Sequence, residues 1–116
     1  MSNELIDRHN RQEDIKNGLE FIQSSLPFFG SQKEYEVFVQ KLVRNLYNEG
    51  NDLYKEGHKN ESINQYSEAL NLAKYATSEE IVITSETLER LHVNRAACYL
   101  AMVIGVFIQL SHSTYS

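Results

Sequence analysis

Cysteine occurs once in the 116 residues, as Cys98, so no internal disulfide can form. A single thiol fits a reducing compartment. Proline also occurs once, as Pro27, and glycine five times, which argues against a turn-rich sheet protein and for helices. Positive charge is in the minority: 11 Lys and Arg face 16 Asp and Glu, a net charge of −5. Nonspecific nucleic-acid binding needs a basic face that displaces counterions, so no direct nucleic-acid binding is expected. The N-terminal stretch MSNELIDRHNRQED has no apolar core and no secretory-signal character, and a cytoplasmic or nuclear location is expected. The Asn60-Glu61-Ser62 glycosylation sequon is accordingly taken as chance.

Catalytic chemistry is also poorly represented. Cys98 lies in the apolar run Ala96–Leu100, where a thiol is ordinarily inert packing. His92 is six residues earlier, on another helical face, so the two form no local thiol–imidazole pair. His9, His58 and His112 have no partner at metal-ligand spacing. No enzyme activity, cofactor or metal is expected.

What the chain does have is helical patterning. Ile15, Leu19, Ile22 and Leu26 share one face of a helix over residues 4–25, ended by Pro27 and Gly30. Ser31 followed by Glu34 is a capping box at the start of a second helix of about 25 residues, running to Glu56. Its apolar stripe comprises Tyr35, Phe38, Val39, Leu42, Leu46, Gly50, Leu53 and Tyr54. Gly50 inside that helix costs about 1 kcal/mol relative to alanine, which suits a place where another backbone comes close. Gly57 and His58 form a turn, and a third helix begins at Lys59 or Asn60 with Ile63, Tyr66, Ala69, Leu70 and Ala73 inward. Residues Tyr75–Ile83 are expected to be a loop, with a fourth helix from Thr84 or Ser85 carrying Leu88, Leu91, Arg95, Cys98, Tyr99 and Met102.

The segment LYNEGNDLYKEGHKNESINQYSEALNLA, residues 46–73, has the footprint of a helix hairpin, and LHVNRAACYLAM at Leu91–Met102 is a partial second copy. Gly50-Asn51, Leu53-Tyr54, Gly57, Tyr66–Leu70 and Asn94–Tyr99 resemble the signatures of the tetratricopeptide repeat (TPR) family, with Ser62 where the family usually has alanine. Together with DIKNGLEFIQSSLPF and YEVFVQKLVRNLYNEGNDLYKEG, these stretches resemble the start of the CCCH-type zinc finger protein 7 group. The resemblance implies an all-α fold of antiparallel helix pairs, a TPR-like right-handed solenoid fragment behind an N-terminal helix. Residues 1–30 would be that helix and a linker, 31–102 one full repeat and the first helix of a second, and 103–116 a divergent apolar tail. It further implies a noncatalytic protein-docking scaffold within an RNA-binding protein of microRNA-related post-transcriptional regulation. The zinc fingers themselves lie downstream in that group, and one cysteine cannot supply the three thiolates such a site needs.

A protein or peptide partner is expected on the concave face, at Arg44, Tyr47, Asn48, Asn51, Lys55, Asn94 and Arg95. Asn51 and Asn94 occupy the asparagine positions with which some TPR domains grip a chaperone's C-terminal carboxylate, so a co-chaperone-like adaptor is an alternative. Tyr47 stands where that grip has its first basic residue; Arg44, on the same face as Asn51, is the substitute. The competing role for both asparagines is to bond backbone groups between adjacent helices.

After Met102 the family pattern stops, and Val103–Leu110 replaces the next amphipathic helix, which suggests an alternative or mispredicted end. From Ala96 to Ile108 the only polar side-chain group is the tyrosine hydroxyl. Thirteen helical residues span about 20 Å against roughly 30 Å of bilayer core, so no membrane span is expected, although a membrane-associated adaptor is a further alternative. The apolar tail is expected to self-associate or to fold back over the open edge of the array.

Overall fold

The computed structural model describes residues 2–115, with side chains described as far as His112. It is all-α, with four helices: α1 (Asn3–Ser24), α2 (Gln32–Lys55), α3 (Lys59–Ser78) and α4 (Ser85–Tyr115). Its packing is that of a helical repeat. Tyr35 near the start of α2 meets Tyr75 near the end of α3, their hydroxyls 2.6 Å apart. At the other end, Ser62 donates to the Gly50 carbonyl at 2.6 Å, so the two helices are antiparallel. The pair α3–α4 is antiparallel too, with Arg95 against Ser67 and Cys98 against Ser62. Thus α2 and α4 run parallel on one side of α3, and among the described residues α1 packs on α2.

The local signals explain the boundaries. Ser31 and Glu34 form the capping box, each satisfying the other's backbone N–H. At the end of α2, His58 N–H bonds the Leu53 carbonyl and Gly57 N–H that of Tyr54, with Gly57 left-handed at φ +85°. That is a Schellman cap, which glycine adopts without steric cost. The end of α3 repeats the motif: Ile81 N–H bonds Ala76, and Glu80 N–H bonds Thr77. Here the left-handed position is Glu80, at φ 60°. Consequently α3 continues through Tyr75–Ser78, which the sequence suggested was loop, and only the extended stretch after Glu80 connects to α4.

The core is one cluster. Val39, Leu42, Val43 and Leu46 of α2 meet Ile63, Tyr66, Ala69, Leu72 and Ala76 of α3, with Leu91 and Cys98 of α4 behind them. Ile15 joins from α1 and Ile81 from the cap. Three expected core residues face outward instead: Leu26, Tyr54 and Tyr99 are exposed. Leu26 lies beyond the end of α1, where Ser25 turns left-handed and carries the chain off the helical face.

The tail does not fold back. α4 runs unbroken into it, and Val103, Ile104, Val106, Phe107 and Ile108 are exposed. The radius of gyration, 17.1 Å, exceeds the about 13 Å of a compact chain of this size, as a projecting helix requires. The apolar stretch is therefore not a short isolated helix: Ser85–His112 is long and apolar enough to cross a membrane by length and composition, and little of its apolar window is buried.

Candidate functional site

The first half of α4 lies alongside α2 and leaves an open groove between them. Its wider part, about 440 Å³, is lined by Gln40, Val43, Arg44, Tyr47 and Asn48 of α2, Val82–Thr84 of the connection, and Thr87 and Arg90 of α4. A smaller part, about 240 Å³, is lined by Asn51, Tyr54, Lys55, Tyr66, Asn94 and Ala97. Residues 44, 48, 51 and 55 are spaced four, three and four apart, so they form one stripe along α2.

Between the two parts, the helices are joined by polar side chains. Asn94 Nδ2 donates to Asn51 Oδ1 at 3.0 Å and reaches the Tyr47 hydroxyl at 3.5 Å. The Tyr66 hydroxyl, from α3 behind, also donates to Asn51 Oδ1. Burial pushes the Tyr66 phenol above its ordinary pKa, so it stays a donor across the physiological range. The asparagines thus bond side chains across three helices rather than backbone groups between neighbours. A shared acceptor with two fixed donors locks these rotamers before any ligand arrives.

Six of the seven expected site residues line this groove. Arg95 does not: it is half-buried on the flank of α4 facing α3, where Nη1 donates to Ser67 Oγ at 3.2 Å. Asn94 and Arg95 are consecutive, about 100° apart around the helix, which turns Arg95 onto the other neighbour. Thr87, Arg90 and the Val82–Thr84 connection were not anticipated. Thr87, Arg90 and Asn94 fall at i, i+3 and i+7, so extending the Asn94 face backwards finds the first two. Gln40 Nε2 holds the connection in place by donating to the Val82 carbonyl at 2.8 Å.

On the adjoining flank, about 100° around the helix, α2 carries a second polar cluster. Glu49, only 5% exposed, accepts from Arg8 at 3.1 Å, from Arg11 at 2.7 Å and from Gln12 at 3.0 Å. Arg8 also pairs with Glu56, and Arg11 with Asp52. Burial alone would push the Glu49 carboxyl up, but its bonds from Arg8, Gln12 and Arg11 outweigh this and hold it below the ordinary carboxylate range. This cluster fastens α1 to α2 and lines neither part of the groove. The other attachment is aromatic: Phe21 of α1 meets Phe38 of α2 edge-on at 5.8 Å, with Phe28 of the linker packed against both.

Among the described residues, no three His, Cys, Asp or Glu side chains gather as a metal site. Cys98 is buried against Ser62.

Two curated human proteins are similar to this chain. Zinc finger CCCH domain-containing protein 7A of Homo sapiens is 56% identical over 102 residues, 88% of this chain and 10% of that protein. Zinc finger CCCH domain-containing protein 7B of Homo sapiens is 50% identical over 97 residues, 84% of this chain and 10% of that protein. The chain therefore spans about a tenth of the length of the curated relatives it matches. No protein-family model matches it. No solved structure matches it either.

Proposed function

We propose that this chain is a noncatalytic protein-docking module of the TPR kind, working within a CCCH zinc finger protein. Its partner is a protein or peptide seated in the α2–α4 groove. The observation that carries the reading is the preset groove floor: Tyr66, Asn51 and Asn94 are cross-bonded from three helices, with Tyr47 alongside. A rigid receptor spends no ordering entropy of its own, so even a short segment can bind usefully. The similarity to the two human CCCH proteins supports the setting within a CCCH zinc finger protein. The cytoplasmic or nuclear role in post-transcriptional, microRNA-related regulation is our proposal from the family resemblance. In that setting the module tethers an RNA-regulatory protein to its partners without touching the RNA.

Site-specific photo-crosslinking tests this in cells. A crosslinker at Thr87, inside the groove, should give discrete protein adducts, and one at Asn71, exposed on α3, should not. Equal labelling from the two positions, or none from Thr87, would refute groove docking.

A second reading concerns the far end of α4, where Val103, Ile104, Val106, Phe107 and Ile108 are all exposed. We propose that this surface drives self-association, since apolar area left in water favours its own burial at about 25 cal/mol per Å². Flotation with liposomes separates this from membrane attachment: a self-associating protein stays in the dense fraction.

A further inference from the structure

The charges of α2 are sorted by side. Glu49, Asp52 and Glu56 face α1 and are ion-paired with its Arg8 and Arg11. Arg44 and Lys55 belong to the groove stripe, and neither has an ion-pair partner among the described residues. No carboxylate lines either part of the groove. Arg90 adds a third cation on the α4 wall. It pairs with Glu86 at 2.6 Å, but both side chains are more than half exposed. An exposed pair at that helical spacing is worth a few tenths of a kcal/mol and exchanges readily. A chain of net charge −5 thus keeps carboxylates out of the groove lining, which Glu86 meets only through its pair with Arg90.

We infer that the groove selects an extended, internal acidic segment of a partner protein: two carboxylate side chains about five residues apart, flanking a small apolar residue. This rests on the docking reading above and names its ligand class. The spacing comes from α2. Arg44 and Lys55 are eleven residues apart, three turns and about 16 Å along the helix. An extended peptide covers that length in about five residues. The apolar residue is placed by Val43, Val82 and Ile83, which line the groove beside Arg44. Asn48 and Asn51 lie between the two cations on the same stripe and suit the peptide backbone, since amides satisfy main-chain groups without bringing a charge. Single-stranded RNA is the less suitable occupant. Two free cations release few counterions, too few to hold a chain with a phosphate at every nucleotide.

The test is selection of the full chain against a random twelve-residue peptide library displayed with both peptide ends fused, so that no free C-terminal carboxylate is offered. Selected peptides should be enriched in paired Asp or Glu about five residues apart. Arg44→Gln with Lys55→Gln should weaken them at least tenfold, and Arg44→Glu with Lys55→Glu should switch selection to basic sequences. Both positions are exposed, and circular dichroism confirms that the variants stay folded. A selected pool without acidic enrichment, or acidic binders indifferent to these substitutions, would overturn the inference while leaving groove docking intact. A pool that yields no peptide crosslinking from Thr87 would defeat both. Displacement of selected peptides by a twelve-residue oligouridylate would overturn the inference in favour of RNA.

Discussion

The ring of Tyr66 lies against the backbone of Gly50, so close that a Cβ at residue 50 would sit 2.5 Å from Cε1 and 2.7 Å from Cδ1. The contact sets the spacing of α2 and α3 where they are also joined by Ser62 and the Gly50 carbonyl. Gly50→Ala gains about 1 kcal/mol of helix propensity but overpacks the interface, at a typical cost of about 1–3 kcal/mol. The ring is held at its tip by Asn51 and cannot swing away freely. Urea titration should show a net loss of about 1–2 kcal/mol, shrinking in a Tyr66→Leu background. A gain in stability from Gly50→Ala would contradict the contact.

Glu49 should govern the acid stability of the fold. Its folded-state pKa is lowered, so the folded protein binds that proton more weakly than the unfolded chain. The resulting stability is fully present above the ordinary Glu pKa of about 4.3 and is lost as pH falls through the lower folded value. Denaturation midpoints measured from pH 6 down to pH 3 should fall more steeply for the native chain than for Glu49→Gln. At pH 7, Glu49→Ala should cost about 2 kcal/mol, less than the roughly 3–5 of a fully buried pair, because both arginines keep a second carboxylate and partial solvation.

Glu80 occupies the left-handed cap position that glycine fills at the end of α2. A side chain there costs about 1–2 kcal/mol, partly offset by the greater freedom of glycine when unfolded. Glu80→Gly should therefore raise stability by about 0.5 kcal/mol, and Glu80→Val should lower it by more than that. Thermal melts of the two variants check the sign.

Val103 and Phe107 are one turn apart on the exposed part of α4. If this surface joins copies of the chain, Val103→Lys with Phe107→Lys should reduce the sedimenting species to a monomer. The melting of α1–α3 should not change, since neither residue belongs to the core cluster. An unaltered sedimentation profile would rule out this surface as the contact.

The helices were legible wherever a local residue decides the structure. The Ser31–Glu34 box and Gly57 each act through bonds within a few residues, and both ends of α2 follow from them. The end of α3 was not legible. Its cap uses a non-glycine residue, and it is held by burial of Ile81, only 2% exposed, which depends on tertiary packing. The β-branched run after it suggested an earlier break. Within the site, the α2 stripe was readable because one helix fixes its own periodicity. Arg95 was misplaced because its neighbours on both sides, α2 and α3, accept polar contacts, and periodicity alone does not say which one a flanking residue meets. The Arg8–Arg11 clamp had no apolar marker. Its trace was the spacing of Glu49, Asp52 and Glu56, a carboxylate stripe that needed an answering helix.

That clamp reaches further than holding two rods together. About 100° around α2 from the groove's cations, and within one screening length of them, stand three carboxylates. While the N-terminal helix is docked its two guanidiniums offset two of the three, and the groove side of the rod shows its positive charges. Trim the chain back to Gln32, as a minimal repeat would invite, and the uncovered anions dim the field that greets an incoming ligand. A segment that never touches the guest thereby decides how welcome it is.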